Sequence, residues 1–306
     1  MRTARLGSAG PKISVVGFGA WEAGADAWGP NESEASVVDA MRAAFDADMS
    51  WIDTAEVYGD GLSETLVGKA IAGRRDGIVV ATKVAPDEEG SGFRPEQIRG
   101  ACDASLARLG IDAIDLFQLH WPDSHGVPVE DSWGSMAELV DAGKVGFIGV
   151  SNFDRDLIER CEVIRHVDSL QQEFSMLRLE DRDLIRWCGE RGTGVVSYSP
   201  LAAGMLTGAF NRAAARGVRD WRRSEPEGPF ADENLDRSLA VVDGLRAVAE
   251  RLEISPAQLA LAWNVAQPGV TSAIAGSRDA AHTRTNAAAG DLQLDPATLA
   301  EIDALL

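Results

Sequence analysis

Short apolar segments alternate with longer amphipathic segments along most of the chain. Eight apolar segments have the length of β-strands, and their hydrophobicity is nearly continuous instead of alternating from residue to residue. Strands that are buried on both faces of a parallel sheet show this pattern. The predicted strands are Val15–Phe18, Trp51–Asp53, Gly77–Lys83, Ala113–Leu119, Val145–Val150, Ser169–Gln171, Gly194–Tyr198 and Thr271–Ala275.

Between these strands, apolar residues recur every three or four positions, as they do on one face of an α-helix. One segment opens with Pro95, which is favoured at the first position of a helix. Gly143 and Gly192 stand where helices would end, because glycine adopts the left-handed conformation of a C-cap. The predicted helices include Glu34–Ala47, Pro95–Leu109, Val129–Ala142, Arg155–Arg165 and Arg182–Glu190.

The strand–helix alternation predicts an α/β fold with a single domain over residues 1–306. Repeated β–α units form parallel sheets through right-handed crossovers, and eight units are enough to close a (β/α)8 TIM barrel. Before the first unit, Thr3–Leu6 and Lys12–Val15 predict a β-hairpin that plugs the bottom of the barrel. Residues 203–235 lack clear periodicity, and a connection this long is usually either a functional loop or disordered.

The chain has 306 residues and a formal net charge of −19 at pH 7. An acidic surface repels nucleic-acid phosphates and anionic lipid head groups, so we expect neither as a partner. The first residues lack the apolar core of a signal peptide, and no run of about 18 apolar residues occurs. We therefore expect a cytoplasmic protein, a monomer or a small homo-oligomer, that acts on a small molecule.

The cysteines argue against a disulfide framework and against a zinc site. The three residues, Cys102, Cys161 and Cys188, are odd in number, widely spaced and without a CxxC pair. Cys102 and Cys161 fall in predicted amphipathic helices. We expect these thiols to be buried or half-buried.

Residues suited to acid–base chemistry follow three consecutive predicted strands. Asp53 ends the second strand and Tyr58 follows it, Lys83 ends the third strand, and His120 follows the fourth. Active sites of (β/α)8 barrels lie at this end of the strands, so the four side chains should converge. In carbonyl reduction a phenol can protonate the oxygen once a lysine ammonium lowers its pKa from about 10. A carboxylate would hold the lysine, and an imidazole would orient the carbonyl.

Each of these residues also has an ordinary structural interpretation. Asp53 could cap a helix, Lys83 could form a structural ion pair, Tyr58 could be a rim aromatic and His120 a structural histidine. The position of all four at the ends of consecutive strands favours the catalytic interpretation. Trp21 and Trp121, and with them Trp28, also follow strand ends. They are predicted either to line an apolar substrate pocket or to pack as ordinary core residues.

Four motifs occur in order along the chain: Asp-x4-Tyr-Gly from Asp53, Thr-Lys ending at Lys83, Leu-His-Trp around His120, and Gly-Val-Ser-Asn-Phe at 149–153. In these motifs the chain resembles the aldo-keto reductases over nearly its whole length. It is more similar to bacterial aldo-keto reductases and potassium-channel β-subunits than to mammalian aldose reductases. The resemblance implies a nicotinamide-dependent oxidoreductase with Tyr58 as the general acid. It also implies that Lys83 and Asp53 tune Tyr58, and that His120 binds the carbonyl.

The resemblance further implies a set of cofactor contacts. They are Ser151, Asn152 and Gln171 at the nicotinamide carboxamide, Tyr198 on the nicotinamide ring, Ser199 and Leu201 at the pyrophosphate, and Gly276, Ser277, Arg278 and Asn286 at the adenosine. His282 and Thr285 depart from the residues that family members often carry there. Arg278 begins a predicted helix and could fork onto a 2′-phosphate, which favours NADP(H) over NAD(H). Its alternative is a surface ion pair with Asp279 or another acid.

Three functions are compatible with these residues. The first is the reduction of an aldehyde or ketone, including a sugar or other small carbonyl, to an alcohol. The second is a binding module that senses nicotinamide cofactors within a larger assembly. The third is an enzyme that oxidises a sugar or polyol, since the same residues serve both directions of the reaction. The four candidate catalytic residues together favour turnover over sensing.

Overall fold

The computed structural model describes residues 1–86 and 92–306. Two short strands, β1 (Thr3–Arg5) and β2 (Lys12–Ser14), form an antiparallel hairpin. The other strands in the described residues are β3 (Val16–Gly19), β4 (Trp51–Asp53), β5 (Val79–Val84), β6 (Ile114–Leu119), β7 (Val145–Ser151), β8 (Ser169–Glu173), β9 (Gly194–Tyr198) and β10 (Val270–Gly276). They pair in parallel and in chain order, and β10 pairs with β3 to close the barrel. The predicted (β/α)8 barrel with a separate hairpin is therefore confirmed.

Helices follow the strands around the barrel. They are α1 (Glu34–Asp46), α2 (Leu62–Ile71), α3 (Pro95–Leu109), α4 (Val129–Asp141), α5 (Arg155–Glu162), α6 (Arg182–Glu190), α7 (Arg212–Gly217), α8 (Trp221–Ser224), α9 (Leu235–Arg251), α10 (Pro256–Val265), α11 (Ala280–Ala288) and α12 (Pro296–Asp303). Side-chain caps begin several of them, because the first N–H groups of a helix lack partners within it. At α10, Ser255 and Gln258 form a reciprocal capping box. No helix of the described residues combines the length and hydropathy needed to cross a membrane.

The bounds of most predicted elements differ from those in the structure by one or two residues, and two differences have a clear structural reason. The helix predicted for Arg155–Arg165 ends at Glu162. Val163 is 85% exposed and Ile164 is 43% exposed, so no buried apolar face continues the helix. The strand predicted from Gly77 begins at Val79, because Gly77 lies in a turn with a φ of +79°.

The hairpin closes the amino-terminal end of the barrel. Leu6 and Ile13 are buried in one cluster with residues that point into the barrel, among them Trp51 and Leu116. The chain passes so close to β9 that a Cβ on Gly7 would lie 2.4 Å from the carbonyl oxygen of Gly192. This packing supports the predicted plug.

The segment 203–235 is a helical excursion between β9 and α9. It includes most of a 3₁₀ helix at Ala202–Thr207, together with α7 and α8. Leu206, Ala215 and Phe230 within it are buried. The sequence left open whether this segment is a functional loop or disordered, and the structure shows it folded into short helices. Short helices were missed because four to six residues are too few to display a 3.6-residue period.

Candidate active site

The carboxyl ends of the parallel strands surround a cavity of about 840 Å³. Strand pairing sets Asp53 of β4 beside Gly19 of β3 and Lys83 of β5 beside Gln118 of β6. The polar residues that end these strands are thereby brought to one opening. The cavity lining includes Asp53, Tyr58, His120, Trp21, Trp121, Ser151, Asn152, Gln171, Tyr198, Ser199, Leu201, Gly276, Ser277 and Asn286.

Lys83 is the centre of the hydrogen-bond network beneath the cavity. Its fully buried ammonium donates to Asp53 Oδ1 at 2.6 Å, to the Thr54 carbonyl at 2.8 Å and to Tyr58 OH at 3.2 Å. The three donors of the ammonium are thus all used, which fixes its direction. Asp53 is held in turn, because its Oδ2 accepts from Gln171 Nε2 at 2.9 Å.

Burial and charge set the protonation of this pair. Burial alone would lower the pKa of Lys83, but the neighbouring Asp53 carboxylate and Tyr58 raise it above its usual value, so the lysine is a cation. Burial raises the pKa of Tyr58 above 10, and Lys83 opposes that rise while Asp53 adds to it. The predicted effect of Lys83, which favours the phenolate, is therefore present, but it does not set the direction of the pKa shift. The desolvation of the phenol outweighs the ammonium, whose charge Asp53 largely compensates.

His120 is a neutral imidazole. Burial lowers its pKa well below the usual value, and the Lys83 cation lowers it further. The ring stacks on Trp121 with centroids 3.7 Å apart and meets the Tyr58 ring edge-on at 5.7 Å. Its Nδ1 is buried and has no hydrogen-bond partner within the described part of the chain. These contacts fix the ring while leaving hydrogen-bonding capacity for a ligand.

The residues assigned to the nicotinamide lie together beside Asp53. Asn152 has a φ of +61°, and its amide donates to the His120 carbonyl and to Ser151 Oγ, both at 3.1 Å. Its amide oxygen accepts from Tyr198 OH at 2.8 Å, so all its polar atoms bond within the protein. Gln171 lines the cavity, whereas the adjacent Gln172 bonds Asp181 at 2.7 Å and does not.

The residues assigned to the pyrophosphate and the adenosine form the other end of the cavity. Ser199, with a φ of +53°, begins this wall, and Asn286 of α11 is buried in it. The backbones of β3 and β10 approach closely there, since a Cβ on Gly276 would lie 2.8 Å from the Gly19 carbonyl oxygen. Arg278 is placed differently. Its guanidinium donates to the carbonyl oxygens of Trp28, Gly29 and Pro30 at 3.2, 3.0 and 3.1 Å.

Trp21 and Trp28 line one wall of the cavity, and Trp221, from a distant segment, packs against both. Trp21 contacts Trp28 and Trp221 with centroids 5.4 and 5.0 Å apart, and Trp28 contacts Trp221 at 5.3 Å. Arg222, the next residue of the excursion, lies over the Trp28 ring at 5.3 Å. The sequence analysis missed four residues of this region: Glu22, Asp26, Trp221 and Arg222. The pair 221–222 falls in the aperiodic segment, and nothing local places it near residues 21–28.

The structure is a closed (β/α)8 barrel with a buried Asp–Lys–Tyr network and a neutral histidine at its mouth. This is the architecture of a barrel enzyme that uses acid–base chemistry. Residues 15–306 match the sequence model of the Aldo/keto reductase family, and the chain belongs to that family. The predicted family and the predicted oxidoreductase class are thereby confirmed.

Solved structures of bacterial proteins support the assignment. Glycerol dehydrogenase of Gluconobacter oxydans is 29% identical, with a TM-score of 0.87 over 99% of this chain and 94% of that chain. An aldo-keto reductase of Bacillus halodurans is 26% identical, with a TM-score of 0.82 over 100% and 96%. An aldo/keto reductase of Klebsiella pneumoniae, solved with NADP and acetate, is 30% identical, with a TM-score of 0.74 over 99% and 95%.

Proposed function

We propose that this protein is an NADP(H)-dependent reductase that converts an aldehyde or ketone to an alcohol, with Tyr58 as the general acid. The observation that carries the proposal is the position of the buried Lys83 ammonium, bonded to both Asp53 and Tyr58, which line a large cavity. The similarity to a Klebsiella pneumoniae protein solved with NADP supports the choice of cofactor.

The cavity suits a nicotinamide dinucleotide along its length. Ser151 and Gln171 offer polar groups for the carboxamide, and Tyr198 offers a flat ring for the nicotinamide face. Gly276 ends β10, and Ser277 follows it three residues before α11 begins. Helix N-terminal N–H groups favour phosphate. The other residues proposed for the cofactor are Asn152, which orients the Ser151 hydroxyl, and Ser199, Leu201, Arg278 and Asn286.

The geometry divides the chemistry among four side chains. Bound NADPH supplies the hydride to the carbonyl carbon. His120, held neutral, donates to the carbonyl oxygen or orients it without adding a charge. Tyr58 keeps its proton in the buried site and transfers it to the oxygen as negative charge develops there. Lys83 stabilises the phenolate that remains, and Asp53 keeps Lys83 charged and in place.

The oxidation of a polyol is a second candidate because the same residues work in reverse. The similarity to glycerol dehydrogenase of Gluconobacter oxydans favours this direction as an alternative. The cofactor-sensing alternative is disfavoured, because a sensor needs no buried proton donor. A wild-type protein that binds NADPH tightly but turns over neither aldehydes nor alcohols would support the sensor instead.

Tyr58→Phe tests the proposal. We expect kcat to fall by two to four orders of magnitude, about the contribution of a general acid, while NADPH affinity stays near the wild-type value. The measurements are steady-state oxidation of NADPH with an aldehyde and a fluorescence titration with NADPH. The matched variant is Tyr198→Phe at the only other tyrosine, which should shift cofactor affinity more than kcat.

A near-normal kcat in Tyr58→Phe would reject Tyr58 as the acid. Lys83→Met should lower kcat to a similar degree, since the phenolate loses its cation. The double variant should be little worse than either single variant, because residues that act as one unit show non-additive losses.

A further inference from the structure

One carboxylate lies at the catalytic end of the cavity outside the Asp53–Lys83 pair. Asp26 lines the cavity together with Tyr58 and His120. Its Oδ2 accepts from the Gly59 N–H at 3.2 Å, and its Oδ1 accepts from the Ala27 N–H at 2.6 Å. Within the described part of the chain its hydrogen-bond partners are thus backbone groups, with no cation among them.

The segment that carries Asp26 is fixed against the segment that carries Tyr58. A Cβ on Gly24 would lie 2.7 Å from the carbonyl carbon of Tyr58, and one on Gly59 would lie 2.2 Å from the Gly24 carbonyl oxygen. The two backbones therefore touch, and glycine is needed on both sides. Because the Gly59 N–H also bonds Asp26, the carboxylate is held one residue away from the proposed proton donor.

Among the described residues, the other charged groups near Tyr58 are paired, and the Glu22 carboxylate lies farther along the cavity, 3.6 Å from where a Cβ on Gly276 would be. The charged groups that act on Tyr58 are Lys83, Asp53 and Asp26, and the first two form a buried ion pair. Arg222 also lines the cavity, but its guanidinium forms an ion pair with Asp220 at 2.7 Å. The same guanidinium lies over the rings of Trp28, Phe210 and Phe230.

Apolar side chains of the described residues lie beside Asp26 at the catalytic end. Trp21, Val57 and Trp121 line it, and Trp121 is 41% exposed at the opening. A substrate group that extends from the carbonyl towards the opening meets these side chains and Asp26. Within the part of the chain that the structure describes, the catalytic end thus combines apolar contact with the negative charge of Asp26, which no cation pairs.

We infer that Asp26 selects substrates by charge, favouring neutral or cationic aldehydes and ketones over those whose carbonyl-bearing chain ends in a carboxylate or a phosphate. This inference rests on the proposed reductase function. A carboxylate several ångströms from a substrate charge, in contact with solvent, changes relative rates by about three- to tenfold. Salt screens such a charge, so the selectivity should weaken at about 1 M ionic strength, where the Debye length is about 3 Å.

The experiment uses three benzaldehydes with one substituent opposite the aldehyde: a carboxylate, a carboxamide or a trimethylammonium group. For each, kcat/KM is measured with saturating NADPH in wild type, Asp26→Asn and Asp26→Lys. Comparing the anionic-to-neutral ratio between variants cancels the different intrinsic reactivities of the aldehydes. We expect Asp26→Asn to raise this ratio about three- to tenfold, and Asp26→Lys to raise it further and to lower the cationic-to-neutral ratio.

Asp48→Asn is the matched control. It makes the same charge change at an exposed residue before β4, at the opposite end of the barrel, and should leave both ratios unchanged. Unchanged ratios in Asp26→Asn and Asp26→Lys would overturn the inference while leaving the reductase intact. No turnover of any of the three aldehydes by the wild type would instead reject the proposed function on which the inference rests.

Discussion

At the scale of single residues, Arg278 shows that a side chain can occupy the predicted place and still make unexpected contacts. Its guanidinium bonds the carbonyl oxygens of residues 28–30, next to the tryptophan wall. The alternative of an ion pair with Asp279 is not observed, because Asp279 caps α11 and accepts from the His282 N–H at 2.8 Å. Contact with a 2′-phosphate would require the guanidinium to leave some of these carbonyls.

Arg278→Ala should weaken NADP(H) binding about tenfold and NAD(H) binding much less. Hydrogen bonds to charged groups contribute roughly 1.5–3 kcal/mol and those to neutral groups about 1 kcal/mol, so the exchange leaves a net gain of about one kcal/mol or slightly more. The measurement is Kd for both cofactors by calorimetry. Arg278→Lys, which keeps the charge without the fork, should fall in between. An equal loss for both cofactors would assign Arg278 to holding residues 28–30 only.

At the scale of elements, the excursion between β9 and α9 reaches across the cavity. Trp221 of α8 packs against Trp21 and Trp28, which precede α1. The excursion also lines the cavity through Ala203, Gly204 and Arg222. Such a segment can cover a bound cofactor and slow its release.

We expect the excursion to open for cofactor exchange and to close over the bound cofactor. Trypsin should cleave at Arg216, Arg219 or Arg223 more slowly with saturating NADPH than without it. Trp221→Ala should speed NADPH release about tenfold by stopped-flow fluorescence, since it removes the contacts that hold the excursion to the opposite wall. Trp187→Ala, on α6 away from the cavity, is the control. Equal cleavage rates with and without NADPH would contradict this prediction.

At the scale of the whole molecule, the hydrophobic core between the barrel and the surrounding helices determines the reactivity of the cysteines. Cys102, Cys161 and Cys188 are all buried there, which agrees with the expectation from their helical positions. Burial raises the pKa of Cys102 to about 11 and the pKa of Cys161 and Cys188 to about 12. The thiolate is the reactive form, so folding suppresses both access and ionisation.

The folded protein should therefore not react with a thiol reagent such as dithionitrobenzoate at pH 8 on the timescale of minutes. Three thiols per chain should react after unfolding in guanidinium. The absorbance of the thiolate that the reagent releases measures this reaction. A rapidly reacting thiol in the folded protein would show that one cysteine is accessible.

The buried thiols also make the stability depend on pH. Thiols ionise near pH 8.5 in the unfolded chain but at higher pH in the folded one. The free energy of unfolding, measured with guanidinium at several pH values, should therefore decline as the pH rises above about 8.5.

The sequence by itself determined the barrel and the four polar residues that meet at its mouth. Both follow from local properties, since a strand buried on both faces must be continuously apolar and parallel strands end at one edge. Asp53, Lys83 and His120 could therefore be assigned to one site from their position after successive strands, and Tyr58 from its place just beyond Asp53. The hairpin plug and the burial of the cysteines follow from local pattern in the same way.

Only the tertiary structure decided the protonation of Tyr58, the partners of Arg278 and the residues that complete the cavity. The pKa of Tyr58 depends on how much water the whole fold removes from the phenol and on its distance to charged groups. Neither quantity can be read from the local sequence pattern. Arg278 meets residues 28–30, Trp221 meets Trp21, and Asp26 meets Gly59 across long separations along the chain. Such contacts are set by how the loops pack once the barrel has closed, and periodicity within each loop carries no information about them.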